Sequence, residues 1–371
     1  PDFERFREEH ACWLDDYSLF AVLYQRSGKK HLSQWPADTR DRDDGKLRAL
    51  KIGLGDHIRR EKFLQFVFHK QWIALKEYCN ARGVKIIGDI PLYVDYDSAD
   101  VWVHPEIFKV NEHRRPLVLA GSPPDFFSEK GQLYESPAYN WDAVRSTHYS
   151  WWIRRVKHNL KLYDKVRLDQ LRGYVKAWEV PYGEESAVNG QWVDVPAYGF
   201  FNALYRHIAS FPLIAEDLGA VAAETREVMH TYDFPGINVL VFAFGADMPR
   251  SSYILHNHAR NSVVYTGTHD TNTVAGWFDG ADDAEKGRFL EYTGRKDGSD
   301  VHWDMIRLAM MSVADTAVIP MQDLLGLGAE ARMNNPASPR GNWKWRFLSG
   351  QLTRAIKDRL SEMTAIYGRK Q

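Results

Sequence analysis

Six short runs rich in apolar and β-branched residues punctuate the chain, most of them closing on polar side chains. They are GVKIIGDIPLY (83 to 93), DKVRLDQ (164 to 170), PLIAEDLG (212 to 219), INVLVFAF (237 to 244), SVVYTGTHD (262 to 270) and TAVIPMQD (316 to 323). Runs of this length and composition predict strands. Segments with helical periodicity lie around them: 57 to 82 before the first, 145 to 163 before the second, 197 to 210 before the third, and 351 to 367 at the end. Strands alternating with helices predict a parallel sheet covered by helices. The expected fold class is α/β, a (β/α)8 TIM barrel of which about six strands are visible, with helical and loop insertions.

Residues 1 to 82 show helical periodicity and no strand, with a polar loop expected around DTRDRDDGK. The first two strands of an eight-stranded barrel are therefore expected to lie outside this chain, in preference to an open sheet. The exposed edges of an open six-stranded sheet favour aggregation. The natural protein is thus expected to be longer, or this chain to be poorly stable alone. The expected organisation is a mainly helical segment, 1 to 82, leading into a catalytic barrel, 83 to 371, that carries strands 3 to 8. Long substrate-binding loops are expected at 94 to 142 and 242 to 258, because loops of such length in a compact domain are usually binding surface or lid.

Composition narrows the class. Lys and Arg number 48 against 49 Asp and Glu, so nothing suggests a nucleic-acid partner. No apolar run approaches a membrane span, and no secretory pattern opens the chain. The 2 cysteines, Cys12 and Cys79, form no metal-ligand spacing, which fits a cytoplasmic protein without structural zinc. Aromatics make up 13% of the chain, and many fall in segments that read as loops: Trp102, Phe126, Phe127, Tyr134, Tyr139, Trp141, Trp343 and Trp345. Each suits stacking on a sugar ring or a base, and equally suits filling the core of a long loop.

Candidate chemistry sits at the ends of the strand runs, where Asp89, Asp169, Glu216, Asp270 and Asp323 occur. In a parallel barrel that end carries the active site. Asp169, Glu216 and Asp270 on successive strands would converge, which suits either a hard metal, with His269 beside Asp270 as a further ligand, or glycosidic chemistry. Arg167 favours the second. Residues two apart on a strand share a face, so its guanidinium would keep Asp169 ionised, as a nucleophile requires; a purely structural ion pair has the same pattern. His269 and Asp270 have no nucleophile elbow to complete a hydrolase triad. The glycines of DLLGLGAEARMNNP lack the strand, turn and helix order of a dinucleotide site.

Taken together, GDIPLYVDYDSADVW, VRLDQLRGY followed by AWEVP and AVNGQWV, LIAEDLG, VVYTGTHD and RMNNPASPRGNWKWR resemble, in order and spacing, the signature segments of the 4-α-glucanotransferases called amylomaltases or disproportionating enzymes. These belong to the wider α-amylase superfamily. The resemblance implies a retaining enzyme that moves α-1,4-glucan segments between maltodextrins by double displacement, with no cofactor and no metal. It implies Asp169 as nucleophile, Glu216 as acid and base, and Asp270 as the acid that grips sugar hydroxyls. Arg167 would orient Asp169, while His269 and Asp89 would bond donor-site hydroxyls. Three departures from the family pattern are read in this chain: its N-terminal segment, with the first two barrel strands and a tyrosine-bearing substrate loop, has no counterpart here, and two further ones concern single positions. Gln170 stands where the family usually has histidine, and Tyr134 and Glu135 replace a tryptophan and a glycine after GQL, so Gln170 and Tyr134 join the substrate-binding candidates. The alternatives are an α-glucan hydrolase and a glucan-binding fragment without activity.

Overall fold

The computed structural model describes residues 2 to 369 other than 125 to 127, 209 to 211, 220, 221, 337 and 339. Phe126 and Phe127 lie outside the described residues. The chain forms two compact units, one running to Glu216 and including the segment that ends at Tyr232, the other made of Asp217–Gly219 and the residues from Asp233 on.

The first unit opens with helices Asp2–Glu9, Ala11–Arg26, Ala37–Arg40, Asp44–Gly53 and Gly55–Asn80. The polar stretch at 38 to 46 is largely helical rather than a loop. Asp43 makes the difference, because its carboxylate accepts from Lys46 N and caps the helix Asp44–Gly53. Helix Ala11–Arg26 buries Leu14, Leu19, Phe20, Val22 and Leu23, as its apolar spacing dictates.

Among the described residues seven strands follow in this unit: β1 (Ile87–Ile90), β2 (Val118–Ser122), β3 (Gln132–Pro137), β4 (Lys165–Leu168), β5 (Lys176–Pro181), β6 (Gln191–Asp194) and β7 (Leu213–Ala215). β1, β4 and β7 pair in parallel in the order β1-β4-β7. Gly88 in β1 is dictated by packing: a β-carbon there would come within 2.2 Å of the Tyr163 ring. Helix Ser150–Leu162, which buries Trp151, Trp152, Ile153 and Val156, packs on β1 and β4.

The remaining four strands form an antiparallel sheet, β3-β2-β5-β6; β2 and β3 lie where a long loop was expected, and β5 and β6 lie outside every expected strand run. Residues 94 to 142 therefore hold helix Ala99–Val103 and the β2–β3 pair. Of the six such aromatics among the described residues, four lie elsewhere: Trp102 is buried in that helix, Tyr134 is on β3, Tyr139 is buried in a bridge to Phe108, and Trp141 opens helix Trp141–Ser146. Trp343 and Trp345 are in irregular backbone, as expected.

The second unit carries β8 (Gly236–Val239), β9 (Ser262–Tyr265) and β10 (Thr316–Val318), parallel in the order β10-β9-β8. All six expected strand runs thus contain parallel strands. INVLVFAF is strand only to Val239, where a 3-10 turn at Leu240–Phe242 takes over. Helices of this unit are Val274–Gly280, Asp283–Thr293, Val301–Met311, Met321–Leu324 and Arg354–Ile366. Among the described residues no helix is long and apolar enough to cross a membrane, and no group of three or more His, Cys, Asp or Glu could hold a metal ion. Cys12 and Cys79 are free thiols.

Candidate active site

The parallel register of β1 and β4 sets Asp89 opposite Arg167. Asp169 follows two residues after Arg167 and returns to the same face. One guanidinium nitrogen serves both acids: Arg167 Nη1 donates to Asp89 Oδ2 at 2.6 Å and to Asp169 Oδ1 at 2.7 Å. Arg167 is only 7% exposed, whereas both carboxylates are more than a third open. Burial works against the charge on Arg167, but Asp169, Asp89 and Glu216 together push its pKa above the ordinary guanidinium value. A permanent cation is thereby fixed under two accessible acids. Asp89 lies inside β1 rather than at its end, and this inner position gives it the register to meet Arg167.

The backbone ladder continues past the ends of β4 and β7 and fixes the acids at one height. Asp169 N donates to Ile90 O, Glu216 N to Leu168 O, and Leu171 N to Glu216 O, at 3.1, 3.0 and 2.9 Å. Glu216 is 9% exposed, and its Oε2 accepts from the backbone N–H of Gln170 at 2.7 Å. Gln170 reaches it by adopting a left-handed backbone, φ 54° and ψ 56°.

The Gln170 side chain turns to the antiparallel sheet. Its Nε2 donates to Ser122 Oγ and to Tyr134 Oη, each at 3.0 Å. Burial, with the charges of Asp169 and Glu216 adding to it against the Ser122 and Gln170 hydrogen bonds, leaves the Tyr134 phenol pushed up to about 12. Tyr134 stays a neutral hydroxyl throughout the neutral range. Its ring stands 6.0 Å from Tyr93, which stacks at 5.9 Å on Tyr139. Asp89, Arg167, Asp169, Gln170, Glu216 and Tyr134 are thus one constellation, to which Ser122 belongs without having been anticipated.

His269 and Asp270 belong to the second unit, in the turn after β9. Asp270 N donates to Thr268 Oγ1 and Thr268 N to Thr271 Oγ1, so the turn holds itself. His269 Nε2 lies 3.2 Å from Asp270 Oδ2. Arg332 and Asn334 clamp the pair: Arg332 Nη2 donates to Asp270 O at 2.5 Å, Asn334 Nδ2 to Asp270 Oδ1 at 2.6 Å, and Asn334 N to His269 O at 3.0 Å. Trp343, at φ 60°, sets its ring 5.3 Å from His269. Arg332 and Asn334 had no role assigned from sequence, although the polar RMNN run offered a signal.

Asp323 is not a surface acid at a strand end. It sits in helix Met321–Leu324, 1% exposed, accepting from Thr266 Oγ1 at 2.6 Å and from Val274 N at 2.8 Å. Its carboxyl, raised by burial, supports the start of the turn that carries Asp270. Asp217, next to Glu216, accepts from Ile237 N at 2.8 Å, and burial pushes it up to about 6.

An α/β fold whose parallel strands end in a guanidinium-braced aspartate and a neighbouring buried glutamate is an arrangement suited to carboxylate chemistry. The sequence profile of the family described as 4-alpha-glucanotransferase matches residues 1–352, and the chain belongs to that family. It is 43% identical over 368 residues to a 4-alpha-glucanotransferase of Aquifex aeolicus, a match spanning 99% of this chain and 75% of that protein. It is 41% identical to one from Thermus thermophilus, over 97% of this chain and 73% of the relative. Among solved structures, an amylomaltase from Streptococcus agalactiae in complex with acarbose superposes with a TM-score of 0.96 at 34% identity, covering 100% of this chain and 74% of that one.

Proposed function

We propose that this 4-alpha-glucanotransferase is a retaining enzyme that transfers α-1,4-glucan segments between maltodextrins by double displacement. The observation that carries the assignment of roles is the shared guanidinium nitrogen of Arg167 under Asp169, with Glu216 on the next strand. Neighbouring strands lie about 4.8 Å apart, close to the roughly 5 Å at which the carboxylates of retaining enzymes stand across the sugar.

In this mechanism Asp169 attacks the anomeric carbon as the glycosidic bond breaks, and Glu216 gives its proton to the departing oxygen. The β-linked glycosyl-enzyme then meets the hydroxyl of a second glucan. Glu216 takes back a proton from that hydroxyl, the new α-glycosidic bond forms, and Asp169 is released. Both steps are complete with carboxylates alone, so no cofactor or metal is required. Arg167 favours the ionised form of Asp169 and holds its Oδ1 toward the guanidinium. Asp270, steadied by Asn334, and His269 with Asp89 grip sugar hydroxyls. Tyr134 and Gln170 line the acceptor side, where flat tyrosine faces favour a sugar over water. The six parallel strands are read as part of a (β/α)8 barrel with the acids at its C-terminal face. Free cysteines and the absence of a long apolar helix among the described residues fit action in the cytoplasm.

The roles of the two acids are separable with azide. Incubated with a maltooligosaccharyl fluoride, Asp169→Ala is expected to release a β-glycosyl azide, because azide replaces the missing nucleophile on its own face. Glu216→Ala is expected to release an α-glycosyl azide from the intermediate. The reverse pattern would overturn the assignment. A ladder of maltodextrins from maltotriose, absent with Asp169→Ala, tests transfer itself.

A further inference from the structure

Ser122, Tyr134 and Gln170 close a triangle of hydrogen bonds, in which the Ser122 and Tyr134 oxygens are 2.5 Å apart and each is 3.0 Å from Gln170 Nε2. The amide nitrogen only donates, so its two hydrogens go one to each hydroxyl, and one hydroxyl donates to the other. Ser122 ends β2 and Tyr134 lies on β3, so two paired strands anchor the side chain of the residue that follows Asp169.

The anchor explains an otherwise unfavourable backbone. A left-handed conformation in a residue with a β-carbon costs on the order of 1 kcal/mol and persists only where surrounding contacts impose it. At Gln170 those contacts are the triangle on the side chain, Gly173 N donating to Gln170 O at 2.8 Å, and the Gln170 N–H on Glu216 Oε2 at 2.7 Å. A carboxyl group accepts a hydrogen bond more strongly at its carbonyl oxygen than at its hydroxyl oxygen. With the peptide N–H held on Oε2, the form of Glu216 that carries its proton on Oε1 is therefore favoured.

We propose that Ser122 and Tyr134 are positioning residues for Glu216, acting through Gln170 to select Oε1 as the oxygen that gives and takes the catalytic proton. This rests on the reading of Glu216 as acid and base. In the first displacement the Oε1 proton moves to the glycosidic oxygen, and the charge that appears on Glu216 is met at Oε2 by the Gln170 N–H. In the second, Oε1 accepts the proton of the acceptor hydroxyl as that oxygen bonds to the anomeric carbon.

The test compares two donors in Ser122→Ala, Tyr134→Phe and the double variant. Maltotriose needs a proton on its leaving oxygen, whereas α-maltosyl fluoride departs with little help from an acid. For each donor kcat/KM reports the first displacement alone. The variants are expected to lose about tenfold more on maltotriose than on the fluoride, within the 10²- to 10⁴-fold that a positioned acid supplies, and to shift the basic limb of the maltotriose pH profile, where the acid loses its proton. Gln170→Gly, which keeps the left-handed backbone at no steric cost but removes the anchor, is expected to show the same donor selectivity. An excess loss on maltotriose below fivefold in the double variant, with an unchanged pH profile, overturns the proposal. Glu216→Ala is the control. If it too loses equally on both donors, the role of Glu216 as acid is what fails; if it spares the fluoride while the double variant does not, only the positioning role fails.

Discussion

Arg167 and Asp169 face the same side of the sheet two residues apart, and Nη1 of the first donates to Oδ1 of the second at 2.7 Å while also holding Asp89 at 2.6 Å. A single nitrogen between two carboxylates is a use that planar, always-charged guanidinium permits. The Lys ammonium is a strongly hydrated point charge on a stem of different reach. Arg167→Lys is therefore expected to lower kcat/KM for maltotriose at least about 100-fold, equivalent to about 2.7 kcal/mol of transition-state stabilisation, while KM changes little. Steady-state kinetics checks this, and a change confined to KM would place Arg167 in substrate binding.

Asn334 and Asp270 give a second test. The Asn334 amide donates to Asp270 Oδ1 at 2.6 Å. Asn334→Ala is expected to cost about tenfold in kcat/KM, the scale of one lost hydrogen bond to a charged group. Asn334→Asp sets two carboxylates in contact and is expected to cost more at neutral pH. It should recover part of its loss as the pH falls and one acid takes up a proton. The pH dependence of kcat/KM for the two variants distinguishes these outcomes.

Much of this site was legible in the sequence because strand periodicity alone puts Arg167 and Asp169 on one face. The six parallel strands were legible for the same reason, as compact apolar runs. Other features depend on residues far apart in the chain. The Asp89–Arg167 pair needs the β1–β4 register, which no local pattern encodes. The sheet β3-β2-β5-β6 was missed because VLAGS is short, holds Gly and Ser, and bears no strict alternation, so its pairing with β5 rather than its composition makes it a strand. The left-handed Gln170 was invisible since glutamine has no intrinsic preference for that region. Asp217 and Glu216, adjacent acids, look equivalent in a string of letters, and only the fold separates one held by Ile237 from one held by Gln170.

Asp323 illustrates an acid whose place at the end of a strand run suggested chemistry but whose contacts support structure. Both its oxygens are bonded, to Thr266 and to Val274, in a buried setting. Asp323→Ala would leave a hydroxyl and a backbone N–H without their acceptor. It is expected to lower stability by about 2–4 kcal/mol. Asp323→Asn retains one acceptor and should lose about half as much. Urea unfolding midpoints at constant slope measure both, and an Asp323→Ala protein as stable as the parent would remove the structural role.

Asp217 carries the pH prediction. Burial raises its carboxyl to about 6 from 3.8, so the folded protein prefers the protonated form. Below the unfolded value both states are protonated and the favourable contribution is complete. As the pH rises through about 6 the folded state must ionise a buried group, and stability falls. Asp217→Asn keeps a carbonyl oxygen for the Ile237 N–H and abolishes the ionisation. The variant is expected to be more stable than the parent by about 1–2 kcal/mol at pH 7.5, allowing for partial solvent access, and no more stable at pH 4. Thermal melts of both proteins at the two pH values measure the difference. A gain of the same size at pH 4 would trace the effect to packing rather than to the charge.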